Sequence, residues 1–111
     1  MIIALGDIYV RIADREQVRN LMRMTQERVS ALPGCVLYSF TETLDEPGHF
    51  MVVQQWEDRS ALEQHYRTQA FADYQAAIGE HLVRTSELRL HEASAGVIPL
   101  DPAPIEASQE D

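Results

Sequence analysis

Apolar and polar residues along the first 93 positions follow two different periods, and the changes between them mark the predicted elements. Segments that alternate and are rich in β-branched residues predict strands, whereas apolar residues that recur every three or four positions predict helices. In chain order these are strand 2–12, helix 15–32, strands 35–43 and 50–57, helices 59–66 and 68–83, and strand 86–93. With the two adjacent helices counted as one unit, the order is βαββαβ.

Local signals support these boundaries. Asp14, followed by Gln17 three positions later, resembles a capping box at the start of the first helix. Pro33-Gly34 stops that helix and turns the chain. The segment 44–49, LDEPGH, is short and contains Pro-Gly, so it predicts a hairpin and an antiparallel pair of strands.

The order of elements predicts an α+β ferredoxin-like sandwich, in which four antiparallel strands carry helices on one face. The second and third strands place bulky side chains on both faces, for example Tyr38 and Phe40 on one and Leu37 and Met51 on the other. The sheet face without helices is therefore expected to be covered, most simply by the same face of a second copy.

Composition changes at Ser94. The segment 94–111 has three prolines, no aromatic residue and four of the eighteen acidic residues. We interpret residues 1–93 as the folded domain and residues 94–111 as an acidic tail, either disordered or extended.

The formal net charge of −9 argues against nucleic acid and against an anionic membrane surface, because both favour a basic patch. All nine basic residues are arginines, which excludes a Schiff-base lysine. Cys35 is the only cysteine, and no zinc or other metal motif is present. The first ten residues do not resemble a signal peptide and no apolar run is long enough to span a membrane, so a cytoplasmic location is expected.

The stretch 50–71 contains the residues with the most interesting chemistry. Trp56 lies near the end of a strand, His65 lies on the helical segment after an acidic turn, and Phe71 lies at the start of the next helix. We expect these elements to wall one pocket between the sheet and its helices. The alternatives are that Trp56 fills the core and that His65 lies on a helix surface.

The sequence resembles the antibiotic biosynthesis monooxygenase family. The residues that carry the resemblance are PGCVLYSF at 33–40, F-x-V-x-Q-x-W-E-D at 50–58, A-L-x-x-H at 61–65 and A-F at 70–71. The resemblance implies a homodimer whose two sheets close into a dimeric α+β barrel. It also implies a pocket for a planar aromatic substrate, with Trp56 and His65 at recurring positions of the family.

The function implied is a metal-free and flavin-free monooxygenase that acts with O₂ on a quinol or a polycyclic phenol. His65 has the pKa range of a base, and we predict His65 and Trp56 as catalytic residues. The predicted substrate-binding residues are Tyr38, Gln54, Phe71 and Tyr74; no cofactor is expected.

Other functions remain open. A ligand binder or an isomerase on the same scaffold would use the same pocket, whereas a purely structural dimerisation module predicts that the space between Trp56, His65 and Phe71 is filled. The haem-degrading branch of the family is not favoured, because the turn after Phe71 offers Tyr74 and Gln75 instead of an axial histidine. Strand parity places Asp7 opposite to the face of Ile8, towards the second subunit.

Overall fold

The computed structural model describes residues 1–94 and 96. Within these residues, four strands and three α-helices form the fold. They are β1 (Ile2–Tyr9), α1 (Arg15–Ser30), β2 (Cys35–Glu42), β3 (His49–Trp56), α2 (Arg59–Tyr66), α3 (Gln69–Ile78) and β4 (Glu87–Glu92), with one 3₁₀ turn at Ile12–Asp14.

The strands form one antiparallel sheet in the order β2-β3-β1-β4. This is the α+β ferredoxin-like arrangement that the order of elements predicted. Every second residue of β1 and of β3 is buried beneath the helices, because successive side chains of a strand point to opposite faces. The core therefore lies between one face of the sheet and the helix layer.

The first helix packs on this core through the stripe that its periodicity predicted. Val18, Met22, Thr25 and Val29 are buried, and Leu21 is partly buried against them. The helix ends at Ser30. Burial of one apolar stripe is the main source of stability for a helix of this kind.

Asp14 is the N-cap residue of this helix, as predicted, but the predicted capping box does not form. The Asp14 side chain makes no capping hydrogen bond. Its carboxylate instead lies 2.8 Å from the Arg11 guanidinium and 2.9 Å from Nδ1 of His81. The hydrogen bond to His81 is the main cause that lowers the pKa of Asp14. Asp14 therefore connects the start of α1 to the turn that follows α3, through its hydrogen bond with His81.

Helix α3 ends at Ile78, five residues before the predicted end at Val83. The reason lies in the segment that follows it, whose backbone bonds to the end of β1. Leu82 forms a β-bridge with Val10, and the Val83 amide donates to the Tyr9 carbonyl at 2.9 Å. These long-range hydrogen bonds replace the last turn of helix that the local apolar spacing predicted.

A β-bulge interrupts β2 near its start. The register with β3 shifts between Cys35 and Leu37, so Val36 is the extra residue and is 51% exposed. Strict alternation along β2 predicts that Val36 shares a face with Tyr38, and the bulge makes this wrong at Val36. Tyr38 is buried under the helices.

The opposite face of the sheet carries partly exposed apolar side chains on three strands. They include Ile3, Leu5, Leu37, Met51 and Val53. The expectation that both faces of the sheet are apolar is thus met, and its cover by a second copy stays a prediction.

No helix within the described part of the chain has the length and apolar character needed to cross a membrane. The predicted tail 94–111 lies outside the described residues except for Ser94 and Gly96.

Candidate active site

A cavity of about 350 Å³ lies between the sheet and helices α2 and α3, next to β4. Its floor is formed by side chains and backbone of the sheet and its roof by aromatic and aliphatic residues of the helices. The lining residues are Gly6, Ile8, Tyr38, Phe40, Val52 and Gln54 from the sheet, Tyr66, Phe71, Tyr74, Gln75 and Ile78 from the helices, and Leu82, Ser86, Glu87 and Leu88 at the rim. A mostly apolar cavity with few polar groups is typical of a small-molecule site.

The four predicted substrate-binding residues all line this cavity: Tyr38, Gln54, Phe71 and Tyr74. The two predicted catalytic residues do not line it. Trp56 is 0% exposed and His65 is 1% exposed, and both lie behind the cavity wall. The roles assigned to all six residues remain predictions.

The ring of His65 is packed inside a cluster of aromatic rings. It stacks on Trp56 with centroids 5.0 Å apart and planes 21° apart. The rings of Tyr38 and Phe71 meet it edge-on at 5.4 and 5.0 Å. The alternative of a surface histidine is therefore wrong. The space expected between Trp56, His65 and Phe71 is taken up by this ring packing, and the open cavity lies beyond Tyr38 and Phe71.

Neither ring nitrogen of His65 has a hydrogen-bond partner among the described residues. Buried polar atoms are almost always hydrogen-bonded, so two unpartnered nitrogens on one ring are unusual. Burial lowers the pKa of His65 from 6.5 to about 4, because the apolar surroundings disfavour the charged form. The imidazole is therefore neutral at pH 7 and offers a free lone pair.

Two side-chain caps hold this histidine and the cavity roof in position. Asp58 caps α2 by accepting the Ala61 amide at 2.9 Å. Thr68 caps α3: its Oγ1 atom accepts the Phe71 amide at 3.2 Å and donates to the His65 carbonyl at 2.7 Å. One hydroxyl therefore fixes the backbone of His65 relative to that of Phe71.

Gln54 connects the buried tryptophan to the cavity. The Trp56 indole N–H donates to Oε1 of Gln54 at 3.0 Å. Because the amide oxygen is turned towards the indole, the amide nitrogen is a donor that Gln54 can offer to a ligand. Trp56 thus orients both Gln54 and His65 without lining the cavity itself.

Three tyrosines line the cavity, and two of them, Tyr38 and Tyr74, are more deeply buried than Tyr66. Burial raises the pKa of Tyr38 and that of Tyr74 well above the usual value of 10. Both hydroxyls therefore stay protonated near neutral pH and can donate hydrogen bonds to a ligand oxygen. The Phe40 ring lies 5.5 Å from Tyr38 and 5.4 Å from Tyr74 and joins them into one aromatic wall.

Sequence reasoning did not assign Gly6, Tyr66 and Leu88 to the cavity. A glycine inside a strand was a signal for close approach by another group, and the structure gives Gly6 that setting. Asp7, its neighbour, lies on the opposite sheet face, as strand parity predicted. There its carboxylate lies 2.8 Å from Nε2 of His49 and 3.2 Å from Arg89.

Within residues 1–94 and 96, no three or more His, Cys, Asp or Glu side chains gather in a way that would hold a metal ion. The fold and the cavity together define an α+β sandwich with a candidate small-ligand site between sheet and helices.

Comparison with known sequences identifies the family to which the chain belongs. The family model for antibiotic biosynthesis monooxygenases matches residues 1–77, so the chain belongs to that family. An uncharacterized protein of Synechocystis sp. is 28% identical over 90 residues, which cover 81% of this chain. The chain spans only 61% of the length of that curated relative.

Solved structures support the assignment of the fold. A Deinococcus radiodurans protein that carries the name of the same family superposes with a TM-score of 0.84 at 22% identity, over 91% of this chain and 100% of its own. Another protein named antibiotic biosynthesis monooxygenase superposes with a TM-score of 0.80 at 25% identity, over 86% of this chain and 100% of its own. The family resemblance of the sequence is thereby confirmed.

Proposed function

We propose that the protein is a monooxygenase that uses neither metal nor flavin and acts on a quinol or a polycyclic phenol. The observation that carries the proposal is an aromatic-walled cavity with a buried, unpartnered histidine directly behind its wall. Membership of the antibiotic biosynthesis monooxygenase family supports the same reaction class.

The setting of His65 is costly for the fold. Each buried polar atom without a partner costs about 1–3 kcal/mol in lost hydration, and His65 has two such atoms. An apolar side chain of similar size would avoid this cost. A residue that destabilises the fold and yet lies beside a cavity is a good candidate for a chemical role.

The cavity suits a flat ring that carries hydroxyl groups. Phe71 and Tyr74 form part of its roof, and the aromatic faces provide stacking surfaces. The amide nitrogen of Gln54 and the hydroxyls of Tyr38 and Tyr74 are donors for an oxygen atom of the ligand. These donors would stabilise the negative charge that develops when a phenol loses its proton.

His65 is the proposed base. Its neutral ring is free to accept a proton at pH 7, and a shift of the Phe71 or Tyr38 ring would bring a substrate hydroxyl to it. Proton transfer then creates an imidazolium next to a phenolate. Their attraction in an apolar environment raises the pKa of the imidazole and so favours the transfer.

The oxidation balances with O₂ as the second reactant. The phenolate transfers one electron to O₂, and the two resulting radicals combine at a ring carbon that carries hydrogen. The imidazolium returns its proton to the peroxide formed in this way. The ring C–H proton is then lost as the O–O bond breaks, so that one oxygen atom stays on the ring as a carbonyl and the other takes up that proton and leaves as water. The substrate supplies all four electrons, which is why no redox cofactor is proposed.

We also propose that a second copy covers the open face of the sheet. The partly exposed Leu5, Leu37 and Val53 on that face support a homodimer in which the sheets form a barrel. The net charge of −9 supports a small aromatic molecule as the ligand in preference to nucleic acid or an anionic membrane.

One observation favours a second candidate function, which is ligand binding without oxygen chemistry. His65 is separated from the cavity by the Tyr38 and Phe71 rings, and a binding protein would not need the histidine to reach its ligand. In that case the cavity alone would determine affinity, and replacing His65 would leave binding unchanged.

The test is oxygen uptake by the chelator-treated full chain with 1,4-dihydroxynaphthalene and related quinols. We expect uptake above the autoxidation of the substrate, and His65→Leu should lower kcat/KM about a hundredfold. The control is His91→Gln, which changes an exposed histidine of β4 and should keep full activity.

Absence of uptake across the quinols would overturn the oxygenase proposal. Uptake that is the same for His65→Leu and for the unchanged chain would retain the oxygenase but remove His65 from the proton transfer. Calorimetric binding of 1-naphthol without any uptake would support the second candidate.

A further inference from the structure

We propose that Gly6 and Leu88 together determine the substrate class, because they give the cavity a flat floor that selects a fused-ring phenol over a single-ring one. This inference rests on the proposed function of the same cavity. Gly6 is buried in the middle of β1 and lines the floor, and Leu88 on β4 continues the floor to the rim of the cavity.

Four lining residues form one row across the sheet. Phe40 pairs with Val52, Val52 pairs with Gly6, and Gly6 pairs with Leu88. All four side-chain positions face the helices and contribute to the cavity. With strands about 4.8 Å apart, the row extends for about 14 Å, which is well over the length of a single benzene ring.

Gly6 allows the neighbours in this row to meet above it. A Cβ atom on Gly6 would lie 3.0 Å from Cδ1 of Leu88, 3.1 Å from Cγ1 of Val52 and 3.0 Å from the Glu87 carbonyl oxygen. All three distances are below normal van der Waals contact. The Leu88 and Val52 side chains therefore occupy the space of the missing Cβ and close the floor without a ridge.

The backbone conformation at position 6 does not require a glycine. Gly6 pairs with strands on both sides, and its φ lies outside the positive range that Gly34 and Gly48 adopt. Glycine weakens the interior of a strand, because it gains no packing and loses more conformational freedom than other residues. The close approach of Leu88 and Val52 is what the glycine provides.

Of the three close neighbours of a methyl group at position 6, one has a side chain that can turn away. The Glu87 carbonyl belongs to the sheet and Val52 is 5% exposed, so neither can easily move. Leu88 is 38% exposed on an edge strand, and its side chain can turn away. Gly6→Ala would therefore raise a ridge in the floor and displace Leu88 from it.

The two ring systems would respond differently to this ridge. A single ring fits against the aromatic wall of Tyr38, Phe40 and Tyr74 without extending across Gly6. A fused pair of rings needs the floor from Val52 to Leu88. We therefore expect Gly6→Ala to act on the larger ligand only.

The experiment measures the binding of 1-naphthol and of phenol by calorimetry, since neither compound needs turnover to bind. The full chain should bind 1-naphthol more tightly than phenol. Gly6→Ala should weaken 1-naphthol binding about tenfold and change phenol binding less than about threefold. Thermal unfolding of each variant checks that the fold is retained.

Leu88→Ala provides the matched comparison. It removes the side chain that the new methyl group would displace, so adding Gly6→Ala on this background should cost less than about threefold in 1-naphthol affinity. Leu88→Ala alone should weaken 1-naphthol binding more than phenol binding, which tests the floor even if Gly6→Ala does not fold.

Equal losses for the two ligands, an equal cost of Gly6→Ala on both backgrounds, or no binding of 1-naphthol by the unchanged chain would each overturn the inference. The measurement of oxygen uptake tests the proposed function separately from this inference. Selective binding without uptake would support the role of Gly6 and contradict the oxygenase proposal. Uptake without selective binding would support the oxygenase proposal and contradict the role of Gly6.

Discussion

The buried imidazole of His65 should make the fold sensitive to acid. Its pKa is 6.5 when the chain is unfolded and about 4 when it is folded, so the folded state binds the proton more weakly. This group's contribution to stability is complete above pH 6.5 and is lost as the pH falls from 6.5 towards 4. From these two values the loss is about 2 kcal/mol at pH 5 and approaches about 3 kcal/mol near pH 4.

The assay is urea unfolding of the unchanged chain and of His65→Leu at pH 7 and at about pH 5. The free energy of unfolding should fall between these pH values by about 2 kcal/mol more in the unchanged chain than in the variant. Taking the difference between two pH values cancels any change in packing that leucine introduces. His91→Gln, which changes an exposed histidine, is the control variant.

At pH 7 the same comparison measures the cost of the unpartnered nitrogens. His65→Leu should be as stable as the unchanged chain or more stable, because it removes two buried polar atoms without partners. If His65→Leu lost as much stability between pH 7 and pH 5 as the unchanged chain does, the imidazole would not be shielded in the way described. The imidazole lone pair would then not be isolated behind the cavity wall.

Two further predictions concern the elements that hold the site. Thr68→Val should cost about 1 kcal/mol of unfolding free energy, because the cap on the Phe71 amide is lost; equal stability in urea would refute this role. Gly34→Ala should cost at least about 2 kcal/mol, because φ is 80° and the new Cβ would lie 2.5 Å from that of Ala61. Gly79→Ala is its control: Gly79 has helical φ, so a similar loss there would contradict the explanation.

The alternation of side chains predicted much of the fold. It placed Tyr38 and Phe40 on one face of the sheet and Asp7 on the face opposite to Ile8, and the packing and burial of these residues confirm both. These predictions succeed because the period of a strand depends on local backbone geometry alone. The order of the elements, βαββαβ, then predicted the ferredoxin-like arrangement that the sheet adopts.

The same pattern could not predict how deeply a side chain is buried. Periodicity gives the face on which His65 lies, but three rings from other elements determine that it is buried behind the cavity wall. The end of α3 was missed for a similar reason. It depends on the bridge between Val10 and Leu82, which are far apart in the sequence.

Trp56 is the only tryptophan of the chain, and its position makes it an internal optical reporter. The indole stacks on His65 at 5.0 Å and donates a hydrogen bond to Gln54, which lines the cavity. Its emission therefore depends on two events at once: the protonation of the imidazole and the arrival of a ligand at the amide. A fluorescence titration of the unlabelled chain would record both, and the pH at which the signal changes would separate them.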